Sequence, residues 1–413
     1  MKVLWFTITP SLSDEHINDL STGGSWVKSL EKVMQTNIDL SIAFYTTKNA
    51  APFKYGNSHY YPMQKYKMGF LSKLINRIFN KLESENDIKL YLDIIENVKP
   101  DVIHIHGTET PFGLIQKYIK IPVLISIQGN ITVYQHKYYS GISPFDIFKY
   151  SSFKSLFFLR TFNLKYSYFK KQAKREQEIL NNSKFIIGRT HWDRRISKVL
   201  SPSSTYFHND EILRDVFYEK KWIPNQNNEL ILMTTNGPNI YKGIETLIFS
   251  ANLLESLNIN FKWKVAGLNL NDEIVNIACK SIGQKISKNI LFLGSLKEQS
   301  LVNEMLNSDI YISISHIENS PNSLCEALLL GIPCIATCAG GTQSLLVDSE
   351  DGILIQDGDP YVMTGAILEL NTNKNSAVLF GKKAREKALI RHDKEKIRKE
   401  LLSIYFNITA NSN

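Results

Sequence analysis

Two carboxylates beside one short helix carry the strongest chemical signal in the sequence. Glu326 is the only charged residue between Pro321 and Leu330, and this predicted helix is almost entirely apolar beyond its first turn. Burying a carboxylate there is costly unless it accepts hydrogen bonds, which the vicinal hydroxyls of a ribose could donate. Glu318 lies in the preceding loop, where a second polar group could contact the same ligand. The alternative for two isolated acids is structural: Glu326 pairs with a buried arginine and Glu318 is an exposed loop acid.

The elements around these acids predict a β–α–β unit. A strand over Asp309–Ser315 precedes a helix that starts at Ser320-Pro321, because Ser is a preferred N-cap and Pro is tolerated at the first helical position. The helix stops at Gly331, and a second strand, Ile332–Thr337, leads through Gly340-Gly341 into another helix. The helix start and the glycine turn both present backbone N–H groups, so they favour an anion such as a phosphate.

A lysine upstream could serve the same anion. The strand Leu230–Thr235 is followed by a Gly237-Pro238 turn, then by Lys242-Gly243 and a helix. This order puts an ammonium group beside a helix N-terminus, and a diphosphate could use both. Taken alone, a lysine at a helix start is more often a solvated surface residue.

Together these residues carry a family resemblance. Glu318-(x7)-Glu326, with SPNSLCEAL, GIPCIA and the following GG, resembles the donor-site signature of retaining glycosyltransferases of family 4. That family has the two-Rossmann-domain architecture known as GT-B. The resemblance implies that Glu326 binds the ribose of a nucleotide sugar and that Glu318 lies by the transferred sugar. It also implies that the Ser323 and Leu324 N–H groups hold the diphosphate, with Asn322 among the residues that bind the substrate.

The mechanism expected from this site is positional and electrostatic. We expect Lys242 and the N–H groups of Gly341 and Thr342 to help stabilise the leaving diphosphate, as preorganised donors aimed at developing charge do. Glu318 would orient the sugar ring rather than attack it. The resemblance implies no metal and no cofactor beyond the donor substrate. The sequence Asp357-Gly358-Asp359 looks like a metal-binding D-x-D, but a turn and a helix N-cap explain it better.

The first half of the chain repeats the pattern of strand, glycine and helix. A strand over Lys2–Thr9 is followed by Gly24 and a helix, and the resemblance implies that this glycine loop faces the donor phosphates and the acceptor. His104 and His106 share one face of a strand that ends at the ligand-binding edge. His106 therefore either faces a cleft or is a satisfied core histidine. Gln128 ends the next strand, where related enzymes often carry a histidine that contacts the donor.

Length and patterning predict an α/β fold with two doubly wound Rossmann-like domains facing a cleft. We predict an N-terminal, acceptor-side domain over 1–217, a linker over 218–228 and a nucleotide-sugar-binding domain over 229–384. A helix at about 385–413 is expected to pack back on the first domain. The 413 residues contain four cysteines without CxxC spacing and no apolar run long enough to span a membrane, which favours a cytoplasmic protein.

The net charge of +8 is compatible with anionic lipid, nucleic acid or phosphorylated substrates. Two segments, 65–81 and 145–178, interleave lysine and arginine with aromatic or aliphatic residues. They predict contact with a membrane surface or a lipid-linked acceptor, and ordinary packing helices are the alternative. No nucleic-acid-binding motif accompanies them, so nucleic acid is not an expected partner.

Together with these residues, the resemblance implies a metal-independent, retaining hexosyltransferase that moves a sugar from a nucleotide diphosphate sugar to a glycan or lipid-linked acceptor. Surface polysaccharide biosynthesis is the expected context, with the protein in the cytoplasm or peripheral on the inner face of the membrane. An epimerase of the same fold is one alternative. A non-catalytic nucleotide-sugar-binding partner is another, since Gln128 replaces a histidine and no arginine precedes Lys242 in Gly237-Pro238-Asn239.

Overall fold

The computed structural model describes residues 1–18, 25–64, 75, 79, 82, 85–225 and 228–410. Contacts within the chain divide it into two units. The first contains Met1–Gln135, Ser167–Arg214 and His392–Asn413, and the second contains His136–Tyr166 and Asp215–Arg391. The segment 136–166 thus groups with the second unit, whereas the predicted N-terminal domain includes it. Gly24 and all but two residues of the predicted basic helix at 65–81 lie outside the described residues.

A mostly parallel sheet forms the centre of the first unit. Its strands, within the described residues, are β1 (Lys2–Thr7), β2 (Asp39–Thr46), β3 (Phe53–Tyr55), β4 (Ser58–Gln64), β5 (Val102–His106), β6 (Val123–Ser126), β7 (Phe185–Gly188) and β8 (Thr205–His208). They lie in the order β3-β4-β2-β1-β5-β6-β7-β8, and only the β3–β4 pair is antiparallel among them. In this order β1 is central, with β2 hydrogen bonded on one side of it and β5 on the other.

The second unit contains a parallel sheet of six strands within the part of the chain described. These are β9 (Leu230–Thr235), β10 (Phe261–Ala266), β11 (Ile290–Gly294), β12 (Ile310–Ser313), β13 (Cys334–Thr337) and β14 (Ile353–Ile355). Their order is β11-β10-β9-β12-β13-β14, so the winding direction reverses between β9 and β12. Ligands of doubly wound sheets bind at the carboxyl ends of the strands at such a reversal. The predicted α/β fold with two Rossmann-like domains is confirmed.

Helices connect these strands. In chain order they are α1 (Ser25–Met34), α2 (Glu85–Val98), α3 (Ile131–Lys137), α4 (Pro144–Tyr150), α5 (Phe153–Phe157), α6 (Phe162–Asn181), α7 (His191–Leu200), α8 (Asp215–Glu219), α9 (Ile244–Ser256), α10 (Glu273–Ser281), α11 (Glu298–Leu306), α12 (Asn322–Leu330), α13 (Pro360–Thr372), α14 (Lys374–Arg391) and α15 (Lys394–Ala410). No helix in the described ranges is both long and apolar enough to cross a membrane.

The helix α15 fills part of the first unit's core. Leu401, Ile404 and Ile408 are buried in one cluster with residues of β1, β2 and α1. At the centre of this cluster, the Trp5 indole N–H donates to the hydroxyl of Tyr405 at 3.0 Å. The first unit is therefore completed by residues that follow the whole second unit in the chain.

Three details of the second unit differ from or refine the prediction. The helix α12 has Pro321 as its N-cap without a side-chain cap, so Ser320 lies one residue outside it. The predicted helix after Gly341 is wrong: Thr342–Ser344 forms only a 3₁₀ turn. Past this turn, the Asp351 carboxylate accepts from the Val347 N–H at 2.7 Å in the loop that leads to β14. The predicted N-cap at Asp359 is confirmed, because its carboxylate accepts from two N–H groups of the first turn of α13.

Candidate functional site in the second unit

The loops that follow β9 and β12 meet at the carboxyl edge of the sheet. Lys242 ends a 3₁₀ helix after β9, and Glu318 lies in the loop after β12. Their ammonium and carboxylate groups form an ion pair, and the Ser315 hydroxyl donates to the same carboxylate at 3.1 Å. The two residues predicted to act in catalysis are thus direct partners at the point where the winding of the sheet reverses.

Backbone contacts fix the position of this lysine. The His316 N–H donates to the carbonyl of Tyr241 at 2.8 Å, and the Asn236 amide donates to the carbonyl of Lys242 at 3.1 Å. Gly243 has a φ of 73°, and a Cβ added there would collide with the carbonyl oxygen of Ile314. Only glycine fits this close approach, so Lys242-Gly243 holds the ammonium group against the loop after β12.

The second acid, Glu326, is 2% exposed on α12. It sits among the buried residues Leu324–Leu330, which pack this helix onto the sheet. Its carboxylate is therefore almost wholly removed from bulk water, where a charged group is tolerated only if it accepts hydrogen bonds. Ser323 lies one turn earlier, and its hydroxyl interacts with the phenol of Tyr311 on β12.

The N–H groups predicted to hold a diphosphate divide into two classes. Three of them already donate within the chain: Leu324 to Pro321 at 3.0 Å, Gly341 to Glu318 at 2.8 Å and Thr342 to Ala339 at 3.2 Å. Those of Ser323 and Gly340 donate to no carbonyl in the described part of the chain. The sequence predicted that the Gly340-Gly341 turn presents N–H groups but assigned the phosphate to Gly341, because which N–H of a glycine pair stays available depends on the neighbouring loop.

Gly340 ties the glycine turn to the acidic loop. Its φ is 61°, and a Cβ at this position would collide with the carbonyl oxygen of Glu318. The adjacent Gly341 N–H donates to that same carbonyl. The turn after β13 and the loop that carries Glu318 are therefore packed backbone against backbone, with no space for a side chain between them.

A buried charged cluster lies next to this loop and was not predicted. His316 Nε2 lies 2.6 Å from a carboxylate oxygen of Glu245, and its Nδ1 lies 3.3 Å from Asp357. Lys137 pairs with Asp357 at 3.4 Å. Burial lowers the pKa of His316, but the hydrogen bonds and negative charges of Glu245 and Asp357 outweigh burial and raise it. The segment 136–143 closes over the cluster, because a Cβ on Gly141 would collide with the Glu245 carboxylate.

Polar residues of the first unit and the comparisons

The two predicted histidines of β5 face the same side of the sheet, as expected, with ring centroids 3.9 Å apart. His104 is hydrogen bonded at both nitrogens, to Tyr405 at 2.6 Å and to Ser126 at 2.7 Å. Burial and the positive charge of Arg189 lower the pKa of His104 to about 3, so this residue is neutral. It is a structural core histidine.

His106 is also buried, at 4% exposed, but it differs in its partners. Its ring packs edge-on against Trp5 and Trp26, and neither ring nitrogen has a hydrogen-bond partner among the described residues. Burial and the neighbouring His104 hold its pKa well below the usual value. It is a core histidine whose hydrogen bonds are not satisfied by the described chain. Gln128 lies close by, since its Cγ would be 3.6 Å from a Cβ on Gly107.

Glu109 is a further titratable residue at this edge that sequence reasoning missed. It follows Gly107 after β5 and is half-buried. Burial raises the pKa of Glu109 to about 7, and the negative charge of Glu176 adds to the rise, while backbone N–H groups and Arg175 oppose it. Its position could have indicated this, because Glu109 lies three residues after His106, the last residue of β5.

Two Rossmann-like units with these loops at the carboxyl edges define the GT-B fold of glycosyltransferases. Residues 217–387 match the sequence model of the family Glycosyl transferases group 1. This segment contains Lys242, Glu318 and Glu326, and its match agrees with the glycosyltransferase resemblance predicted from the sequence.

Comparisons with individual proteins agree with this assignment. The chain is 28% identical over 123 residues to N-acetyl-alpha-D-glucosaminyl L-malate synthase of Bacillus anthracis, a match that spans 30% of this chain and 32% of that protein. Among solved structures, sucrose-phosphate synthase from Thermosynechococcus elongatus has a TM-score of 0.74 at 13% identity, with 99% of each chain covered. HepE of Anabaena, in complex with UDP-glucose, has a TM-score of 0.67 at 12% identity, covering 98% of this chain and 100% of that one. At these identities the structures establish the fold alone.

Proposed function

We propose that the protein is a retaining glycosyltransferase of family 4, which transfers a hexosyl group from a nucleotide diphosphate sugar to a hydroxyl of a glycan or lipid-linked acceptor. One observation carries the proposal. Lys242 and Glu318 form an ion pair where the winding of the sheet reverses, within a glycosyltransferase group 1 domain. The buried Glu326 on the adjacent helix supplies a carboxylate for ribose hydroxyls.

Donor binding would exchange the partners of this ion pair. The diphosphate attracts the Lys242 ammonium, and the N–H groups of Ser323 and Gly340 add donors from a helix start and a glycine turn. Glu318, released from the ammonium, accepts hydrogen bonds from sugar hydroxyls and orients the ring. Lys242 thus exchanges Glu318 for the diphosphate, and Glu318 exchanges Lys242 for sugar hydroxyls, so both charged groups keep a partner.

The transfer then needs charge stabilisation rather than a protein nucleophile. The bond between C1 of the sugar and the diphosphate oxygen breaks, and Lys242 with the two N–H groups stabilises the negative charge on the diphosphate. The acceptor oxygen bonds to C1 on the same face, and its proton passes to the released phosphate. In this proposal the reaction requires no metal and no cofactor.

The finer context is also proposed. HepE was solved with UDP-glucose, which makes this nucleotide sugar the first donor to test. Gln128 and His106 of the first unit are proposed to contact the sugars, and Gly24 is proposed to face the donor phosphates. We place the reaction in surface polysaccharide biosynthesis, with the protein peripheral on the inner face of the membrane.

A panel of nucleotide sugars tests the function. A donor that binds the folded protein raises its thermal midpoint by mass action, and radiolabelled donor then reports transfer to glycan acceptors. We expect Lys242→Ala to lower turnover by about 10²–10³-fold, the usual effect of removing one such donor. Lys262→Ala is the matched control, because Lys262 forms an exposed pair with Glu229 in the same unit. Unchanged turnover in Lys242→Ala would refute the role.

The same experiment separates the alternatives. Interconversion of the nucleotide sugar without any acceptor would identify an epimerase. Binding of a donor without transfer or hydrolysis across the acceptor panel would identify a non-catalytic partner. Transfer that retains the configuration at C1 supports the proposed function.

A further inference from the structure

Four phenylalanines of the second unit are exposed on two short, adjacent helices. Phe145 and Phe148 on α4 are 68% and 63% exposed, and Phe153 and Phe157 on α5 are 82% and 65% exposed. Spacings of three and four residues put the members of each pair on one helix face. We call these four residues the phenylalanine surface. Large exposed apolar groups gathered in this way mark an interaction site rather than ordinary surface.

The helices that carry this surface are anchored. The N–H and hydroxyl of Ser152 donate to the Glu273 carboxylate at 2.8 and 2.9 Å, and the Ser155 hydroxyl donates to it at 2.6 Å. Ile147, on the opposite side of α4 from the two phenylalanines, is fully buried. The segment is thus held on α10 by its inner face. The phenylalanines are therefore exposed on helices that are fixed to α10, and not on a loose loop.

Exposed basic residues accompany the phenylalanine surface along the same segment. Lys149, Lys154 and Arg160 lie within or directly after the two helices, and Asp146 is the only acid between residues 144 and 160. Asp146 is engaged locally, because it accepts from the Ser143 hydroxyl at 2.7 Å. The surface therefore combines aromatic rings with an excess of positive charge, which complements an anionic partner that has an apolar interior.

We propose that the phenylalanine surface docks the protein on an anionic lipid surface. The rings of Phe153 and Phe157, and those of Phe145 and Phe148, enter the boundary between headgroups and acyl chains. Lys149, Lys154 and Arg160 lie at the phosphate headgroups. This inference rests on the proposed peripheral membrane location and specifies the surface responsible for it. Its test is independent of the transfer reaction, since lipid docking holds or fails whatever the donor is.

The docking proposal uses residues 145–160 of the membrane segment predicted from the sequence, 145–178, and leaves out the far end of that segment. Further along α6, Arg175 is 6% exposed and Glu176 is fully buried. Glu176 accepts from the Thr132 N–H at 2.6 Å, so this end of α6 belongs to the core of the first unit. A second copy of the chain is a poorer occupant, because a two-fold interface would bring two like-charged surfaces together.

Vesicle flotation tests the proposal. We expect the full chain to bind phosphatidylcholine vesicles that contain phosphatidylglycerol, and to bind pure phosphatidylcholine vesicles far more weakly. Phe153→Ser with Phe157→Ser should lower the binding at least about tenfold through loss of apolar insertion. Lys149→Ala with Lys154→Ala should lower it about fivefold per charge, and only on the anionic vesicles.

Controls separate docking from folding. Phe406→Ser is matched to the phenylalanine variants, since Phe406 is 59% exposed on α15 in the first unit. It should leave vesicle binding unchanged, and all variants should keep the wild-type thermal midpoint and donor binding. Equal vesicle binding by the double phenylalanine variant and the wild type would overturn the proposal. A concentration-dependent dimer that the same variant abolishes would also overturn it, because a second copy would then cover the surface.

Discussion

Replacing Gly340 by alanine tests how closely the glycine turn approaches the acidic loop. The residue has a φ of 61°, and the new Cβ would collide with the backbone carbonyl of Glu318. Placing alanine in the left-handed region costs about 1–2 kcal/mol. Overpacking against a fixed backbone atom adds about 1–3 kcal/mol. The total expected loss of stability is therefore roughly 2–5 kcal/mol.

Gly283 supplies a matched control in the same unit. Its φ is 64°, and a Cβ there would meet nothing within 4 Å. Gly283→Ala should therefore show only the conformational cost of about 1–2 kcal/mol. The difference between the two variants isolates the contact with Glu318.

Urea unfolding and donor binding provide the two measurements. We expect Gly340→Ala to unfold at lower urea than Gly283→Ala. It should also bind the donor more weakly, because relief of the collision moves the loop that carries Glu318 away from Lys242. Gly283→Ala should bind the donor as the wild type does. If both variants lose the same stability and keep wild-type donor affinity, the close approach does not constrain the site and the reasoning is wrong.

Two further predictions concern buried polar groups. Since the pKa of folded His316 is raised above its unfolded value of about 6.5, its stabilising contribution is complete below that pH and is lost as pH rises through the folded pKa. The difference in thermal midpoint between wild type and His316→Gln should therefore be largest in acid and shrink above about pH 6.5; a difference that grows with pH would contradict this. Tyr405→Phe removes the hydroxyl that Trp5 and His104 contact, so it should cost about 1–3 kcal/mol in urea unfolding. Tyr118→Phe, at a residue 60% exposed, is the control and should cost almost nothing.

The sequence singles out candidate site residues where the signal is local. Lys242 and Glu326 could be found because strand ends, glycine and proline positions, and a lone acid in an apolar helix are visible within short windows. The bounds of β9 were predicted correctly for the same reason, since its apolar run is flanked by turn residues.

What could not be predicted depends on contacts between distant parts of the chain. Gly341 was expected to bind phosphate, but its N–H donates to Glu318, and this follows from how two loops pack. His316 lies in a loop and has no sequence neighbour that reveals Glu245, which is on the helix α9. The grouping of 136–166 with the second unit likewise depends on Glu273, far along the chain. Local patterns contain no information about these partners.

The order in which the chain is synthesised gives the C-terminal helix an additional consequence. A ribosome completes all residues of the second unit before it reaches His392, yet residues from 392 onward belong to the first unit. The hydroxyl of Tyr405 that Trp5 and His104 contact is therefore missing until after the second unit has been synthesised. Domains usually fold in the order of synthesis, N-terminal first. Here the core of the first unit is incomplete until the residues of α15 have been synthesised, whereas all residues of the second unit are available earlier.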